Sequence, residues 1–200
     1  MNTTIVEEEK TKLKTGYTTG SSATAASKAA LLSIINQKKI ENVDILLPKR
    51  SYVKIPIYSC KFESDKAKCS VIKNGGDDPD VTHGAEIIVE LSFIEKINEI
   101  EIDGGEGVGI VTKPGLGLEI NKPAINPVPK KMITENIREI GKEILLEKGI
   151  RIVISVPKGK ELGPKTDNPR LGIINGISIL GTSGIVIPFS TAAYAASIRQ

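Results

Sequence analysis

Tryptophan is absent from this 200-residue chain, aromatic residues make up only 4% of it, and His83 is its one histidine. Without aromatic platforms, stacking on single-stranded nucleic acid has little to rest on. The charge balance points the same way: 27 Lys and Arg against 24 Asp and Glu leave +3, with the cations scattered rather than gathered into a basic stripe. Cysteine is scarce too. Cys60 and Cys69 form no CxxC, and with a single histidine they fall short of a zinc ligand set, so no metal site is expected. No run approaches the ~20 apolar residues that a membrane-crossing helix needs. The opening MNTTIVEEEKTKLK is too polar for a secretion signal. These absences lead us to expect a cytoplasmic chain with reduced thiols and with neither nucleic-acid nor membrane partners. A small polyanionic ligand stays open.

The most informative stretch is KTGYTTGSSATAASKAALLSIIN, Lys14 to Asn36. Thr15, Gly16, Thr18, Thr19, Gly20, Ser21 and Ser22 run straight into an alanine-rich helix predicted from about Gly20 to Gln37-Lys38-Lys39. Ser and Thr ahead of a helix cap its free N–H groups. The same groups, with the positive end of the helix dipole, can hold an anion. Thr18, Thr19, Gly20, Ser21 and Ser22 are therefore candidate ligand-binding residues, with a well-capped buried helix as the alternative. Ala23, Ala25, Ala26, Ala29 and Ala30 keep the helix thin enough for close approach by another element.

Residues 1–13 read as a flexible tail and 14–200 as one domain. Short strands are predicted at Val43–Leu47, Val53–Tyr58 and Lys68–Lys73. Ala85–Phe93 and Ile97–Ile102 read as strands paired in a hairpin. From Gly104 to Pro129 glycine and proline dominate, leaving room for one short strand at Val108–Thr112. Lys130–Lys148 carries Met132, Ile133, Ile137, Ile140, Ile144 and Leu145 on one helical face, with Gly149 as its stop. Arg151–Val156 should be a buried strand. A second irregular stretch follows, then strands at Ile173–Leu180 and Ile185–Ile187 and a helix capped by Ser190. That helix reaches the last residue without a stop signal, as in a domain drawn from a longer polypeptide. The regular β–α alternation of a doubly wound sheet is missing. The expected class is α+β, with helices packed on a mixed or largely antiparallel sheet.

Three loops carry candidate chemistry. NGGDDPDVTHG crowds Asp77, Asp78 and Asp80 into four positions, where they repel unless a cation, a ligand amine or backbone N–H groups hold them. They are the candidate catalytic carboxylates, with an Asx-turn loop as the structural alternative. Gly105, Gly107 and Gly109 follow a predicted strand but lead into IVTKPG, which resists a helix, so a Rossmann site is a poor fit. A glycine loop against a flat ligand remains open. Lys113, Lys165 and Arg170 sit on stiff Gly/Pro/Asn loops and could clamp carboxylates or phosphates. Thr182 and Ser183, in the link GTSG, complete the candidate binding set.

TTGSSATAASKAALL resembles the phosphate loop of GHMP-type small-metabolite kinases over some ten residues. A wider resemblance runs in order through TGYTTGSSATAASKAAL, NGGDDPDVTHGAEI, GGEGVGIVTKPGLG, AINPVPKKMI, ISVPKGKE and KTDNPRLGIINGISILGTSGIVIP. From Lys14 to about Ile198 the chain is similar to the CbiD-type cobalt-precorrin-5B C-1 methyltransferases of anaerobic cobalamin biosynthesis. Ser22 takes a place where that family often has cysteine, and family members usually continue with a further domain. The resemblance implies methyl transfer from S-adenosylmethionine to ring carbon C-1 of a cobalt-containing tetrapyrrole, the cobalt arriving with the substrate. It implies that the helix start and Lys113, Lys165 and Arg170 face the macrocycle's carboxylates, and that Asp77, Asp78 or Asp80 faces the cationic donor. It leaves a homo-oligomer or an absent C-terminal domain as possible partners. The alternative is a tetrapyrrole- or anion-binding domain without chemistry of its own.

Overall fold

The computed structural model describes residues 13–189; the N-terminal tail apart from Leu13 and the helix expected from Ser190 lie outside the described residues. One helix, α1 (Thr19–Asn36), organises the rest. Every residue from Thr19 to Leu31 is buried, including the hydroxyl-bearing ones. Those in the body of the helix can be buried because it satisfies them itself: Thr24 Oγ1 donates to the Gly20 carbonyl and Ser27 Oγ to the Ala23 carbonyl, both at 2.8 Å. The helix stops at Gln37, which adopts φ 47° and whose N–H donates to Ile34 O. The cap is thus a left-handed Gln, and the two lysines predicted to mark the end lie beyond it.

On one side α1 packs across a five-stranded sheet in the order β4 (Ser59–Phe62), β5 (Lys66–Ile72), β6 (Glu86–Ile94), β9 (Gly149–Ser155), β7 (Ile100–Gly104). On its other side lie α2 (Pro127–Ile140) and the hairpin of β2 (Asn42–Leu46) with β3 (Tyr52–Pro56). Being flanked on both sides explains why the helix has no polar face. The class is α+β, as expected, with a largely antiparallel sheet and a single parallel pair, β7 with β9.

Several expected elements shift. β6 and β7 are not hairpin neighbours, because β9 lies between them. β9 pairs with β6 on one side and β7 on the other, and the excursion through α2 and α3 (Lys142–Glu147) supplies the crossover a parallel pair needs. The expected single helix Lys130–Lys148 begins at Pro127, since proline is welcome in a first turn, and breaks at Gly141. A Cβ there would lie 3.0 Å from Leu31 Cδ2, so the break marks close approach to α1. Its end is Lys148, in extended backbone, and Gly149 already belongs to β9. The long strand expected at Ile173–Leu180 shrinks to β10 (Ile173–Ile174), paired with β8 (Ile110–Val111); Ile177 and Ile179 make isolated bridges to Val108 and Ile125. The irregular stretch before it folds into α4 (Gly159–Leu162) and a 3₁₀ turn, Gly163–Lys165. β1 (Gly16–Tyr17) pairs with β11 (Ile185–Val186), so the start and finish of the described chain meet beside α1.

Candidate active site

Most N–H groups at the helix start already have partners. The segment Ser178–Gly184 lies over it and takes two of them: Gly20 N donates to Leu180 O at 2.9 Å and Thr18 N to Gly184 O at 3.2 Å. Thr18 Oγ1 caps Ser21 N at 3.1 Å, and Ser21 Oγ donates to Gly184 O at 2.6 Å. Thr19 Oγ1 accepts from Leu180 N at 2.9 Å and can donate to Ser178 O at 3.2 Å. Ser22 Oγ only bonds back to Thr18 O. A Cβ on Gly20 would come within 2.8 Å of Pro129 Cγ, so the absence of a side chain lets α2 approach the helix start. At the helix start expected to bind an anion, the hydroxyls of Thr19 and Ser21 sew the C-terminal segment to α1.

The glycines of GGEGVG also lie close against other parts of the chain. Added Cβ atoms at Gly105, Gly107 and Gly109 would meet Ser155 Oγ at 2.3 Å, Val156 O at 1.9 Å and Ile173 Cγ2 at 2.4 Å. These glycines let one part of the chain cross another. Gly107 also has φ 71°, and its carbonyl lies where side chains on Gly159 and Gly176 would have to be. Gly163 presses in turn on Gly176. This glycine contact seats the 3₁₀ turn and the loop after it.

Each carboxylate of the acidic loop has its own partner. Asp77 is clamped to the backbone of Lys14, accepting from its N–H at 2.7 Å and donating its own N–H to the Lys14 carbonyl at 3.0 Å. Asp78 Oδ1 accepts from Phe189 N at 3.2 Å. Asp80 receives an ion pair from Lys73 Nζ at 2.5 Å and two bonds from Thr82, backbone N–H at 2.7 Å and Oγ1 at 2.6 Å. Burial pushes the Asp80 carboxyl up, but the Lys73 bond and charge together with the Thr82 bonds outweigh it and hold the group below the usual carboxylate range. An acid so well satisfied makes a weak general base. The three charges are thus held apart by separate partners instead of sharing one cation. His83 belongs to the same loop, its Nδ1 accepting from Gly75 N at 3.1 Å.

Asp78 and Asp80 face Lys165 and Arg170 across an open cleft of about 580 Å³, whose other lining residues are Val81, Pro164, Thr166, Asp167 and Pro169. The fold has joined two loops that are far apart in sequence. Asp77 and Lys113 do not line this cleft; the stem of Lys113 lies over Gly172. Thr182 lines a separate pocket of about 170 Å³ with Arg50, Lys131 and Glu135, and Ser183 closes its own turn onto Ile185. Lys73 is the residue that the sequence reading passed over. It continues the inward-facing set Ala67, Cys69, Val71 of β5 and is 2% exposed, and a lysine in such a position needs a carboxylate to meet it.

Residues 6–188 match the CbiD family model. The chain belongs to the CbiD family. A cobalt-precorrin-5B C(1)-methyltransferase of Priestia megaterium is 51% identical over 195 residues, which are 98% of this chain and 53% of that protein. Its counterpart in Geobacillus kaustophilus is 53% identical over 193 residues, 96% of this chain and 52% of the relative. A crystal structure of the cobalamin biosynthesis protein CbiD from Archaeoglobus fulgidus superposes with a TM-score of 0.67 at 34% identity, covering 94% of this chain and 59% of that one. The chain spans about half the length of the curated relatives it matches. Among the described residues, no helix is long and apolar enough to cross a membrane.

Proposed function

We propose that this chain serves the transfer of a methyl group from S-adenosylmethionine to C-1 of cobalt-precorrin-5B in the cytoplasm, with the cleft between the acidic loop and residues 164–170 as the place where the ligands are held. The observation that carries this reading is the meeting of carboxylates and cations from two pinned loops in a single cleft of a CbiD-family chain. When bound, S-adenosylmethionine supplies a methyl group that accepts the ring carbon's electron pair as the carbon–sulfur pair returns to sulfur. The donor set suits such a ligand: Asp78 offers a carboxylate to positive charge, while Lys165 and Arg170 offer cations to carboxylates. Asp80, held by Lys73 and Thr82, keeps the acidic wall in place. Holding two ligands in register can lower a barrier by up to ~7–11 kcal/mol, so positioning is the larger part of the work asked of these residues. The test is incubation of this chain with methyl-labelled donor and cobalt-precorrin-5B. Label on the macrocycle, reduced in R170M, is the expected result; no label despite binding of both ligands overturns it.

A second reading is favoured by one fact, that the chain spans about half of its relatives' length. In that reading this portion binds the tetrapyrrole and the chemistry awaits the remainder, or a second copy. Label transfer that appears only when the C-terminal half of a full-length relative is added would select it. A kinase-like reading calls for ATP at Ser21 and Ser22. Both side chains are buried and bonded within the chain, so an ATP titration should be flat.

A further inference from the structure

The charges at the cleft do not cancel evenly. Asp80 is neutralised from behind by Lys73, which is 2% exposed. Arg170 Nη1 lies 3.8 Å from Asp167 Oδ1, an exposed pair in which each charge has an opposite neighbour while Arg170 can still turn to a ligand. Asp78 and Lys165 remain, lining the same cleft with no ion-pair partner among the described residues. Asp78 Oδ1 takes one long bond from Phe189 N, and its other oxygen has no partner among the described residues.

Both residues stand on fixed backbone. Asp78 lies between Asp77, clamped to Lys14, and Pro79, with Asp80 bonded to Lys73 and Thr82 just beyond. Lys165 ends a 3₁₀ turn whose Gly163 abuts Gly176 and whose Gly163 carbonyl accepts from Thr166 Oγ1 at 2.7 Å. An anion and a cation carried on held backbone in one cleft disfavour ligands of a single sign. A phosphate would bring its charge beside Asp78, and a simple amine would bring its charge beside Lys165. A ligand end with both charges a bond or two apart satisfies both walls at once.

We propose that Asp78 and Lys165 together read the α-amino-acid end of a ligand, Asp78 taking the ammonium and Lys165 the carboxylate. The proposal rests on the cleft being the donor site, and it names the half of the donor that the cleft grips. That half is unchanged by methyl loss, so donor and demethylated product gain equally from it. Such uniform binding sets affinity and leaves kcat alone.

The test is calorimetric titration of the 200-residue chain and of D78N and K165M, each checked for folding by circular dichroism. The probes are S-adenosylhomocysteine, its N-acetylated form, its carboxamide, 5′-methylthioadenosine and L-methionine. Each variant should bind S-adenosylhomocysteine about tenfold more weakly, as expected for loss of one charge-assisted bond. The losses should be matched end to end: N-acetylation should cost wild type about tenfold and D78N nothing, and the carboxamide should do the same for wild type and K165M. S-adenosylhomocysteine binding that is indifferent to both substitutions, or 5′-methylthioadenosine binding as tightly, overturns the proposal while the donor reading stands. L-methionine binding with the matched pattern, without binding of S-adenosylhomocysteine, supports the proposal and removes the donor reading. No binding of any amino-acid probe at millimolar concentration removes both.

Discussion

Asp80→Asn tests the pair on which the acidic wall is built. The pair is asymmetric: the Lys73 side chain is 2% exposed and Asp80 25%. Taking the carboxylate away strands an ammonium with almost no access to water, and removing one partner of a buried pair costs about 3–5 kcal/mol. Lys73→Met strands a carboxylate that still has Thr82 N and Oγ1 and some water, so its cost should be nearer about 1–3 kcal/mol. The double variant should recover part of the D80N loss, since the two sites are coupled. The pH dependence has a definite sign. The Asp80 carboxyl is held below its ordinary 3.8, so its contribution is full above that value and is lost as acid carries the pH down through the lower folded value. D80N should therefore show a shallower acid limb than wild type. Urea unfolding of wild type and the three variants at neutral pH and near pH 3 measures all of this. A D80N variant as stable as wild type, or a K73M variant that loses more than D80N, would refute the reasoning.

Three further outcomes follow from the packing. Gly176→Ala places a Cβ 2.3 Å from Gly107 O and 2.6 Å from Gly109 N, all backbone, so destabilisation of at least about 1–3 kcal/mol should appear as a lower Tm. Thr19→Val leaves Leu180 N without its acceptor and should cost about 1–3 kcal/mol in urea, whereas Ser22→Ala, which removes only a back-bond within the helix, should stay within about 0.5 kcal/mol of wild type. Cys60 and Cys69 are buried, and burial, followed by the hydrogen bond between them, pushes the Cys69 thiol up. A thiol reagent should thus label neither in the native protein and both in urea; rapid native labelling would contradict this burial.

The periodic segments were legible in the sequence and the connections were not. β6, β9 and α2 announced themselves through apolar runs, because burial of one face leaves its mark in one stretch of chain. That β9 inserts between β6 and β7 is a choice among strand partners, and nothing local in Ile97–Ile102 records it. The glycine and hydroxyl clusters, expected to meet a ligand, have a physical cause in common. Small residues ahead of a helix or after a strand suit close approach by any atoms, and here the atoms belong to the same chain: Leu180 and Gly184 at the helix start, Val156 and Gly176 at the GGEGVG loop. Lys165, Arg170 and the acidic loop could be picked out as charged loops, but their meeting in one cleft is a product of the fold alone.

That meeting depends on both ends of the described chain. Asp77 is fixed by Lys14, two residues before β1, and Asp78 by Phe189, three residues after β11. β1 and β11 pair with each other, and added Cβ atoms at Gly16 and Gly76 would strike the opposite backbone at 2.1 and 2.2 Å. The acidic loop is therefore seated on the junction where the chain closes on itself, while the cationic loop is seated on the glycine contact between Gly163 and Gly176. Two independent anchors hold the two walls of one cleft. Loosening either should change the distance between the walls without altering a single charged side chain, so Gly16→Ala should weaken ligand binding even though Asp78, Lys165 and Arg170 are all retained. Unchanged affinity in a folded Gly16→Ala variant would mean that the acidic wall holds its place without that junction.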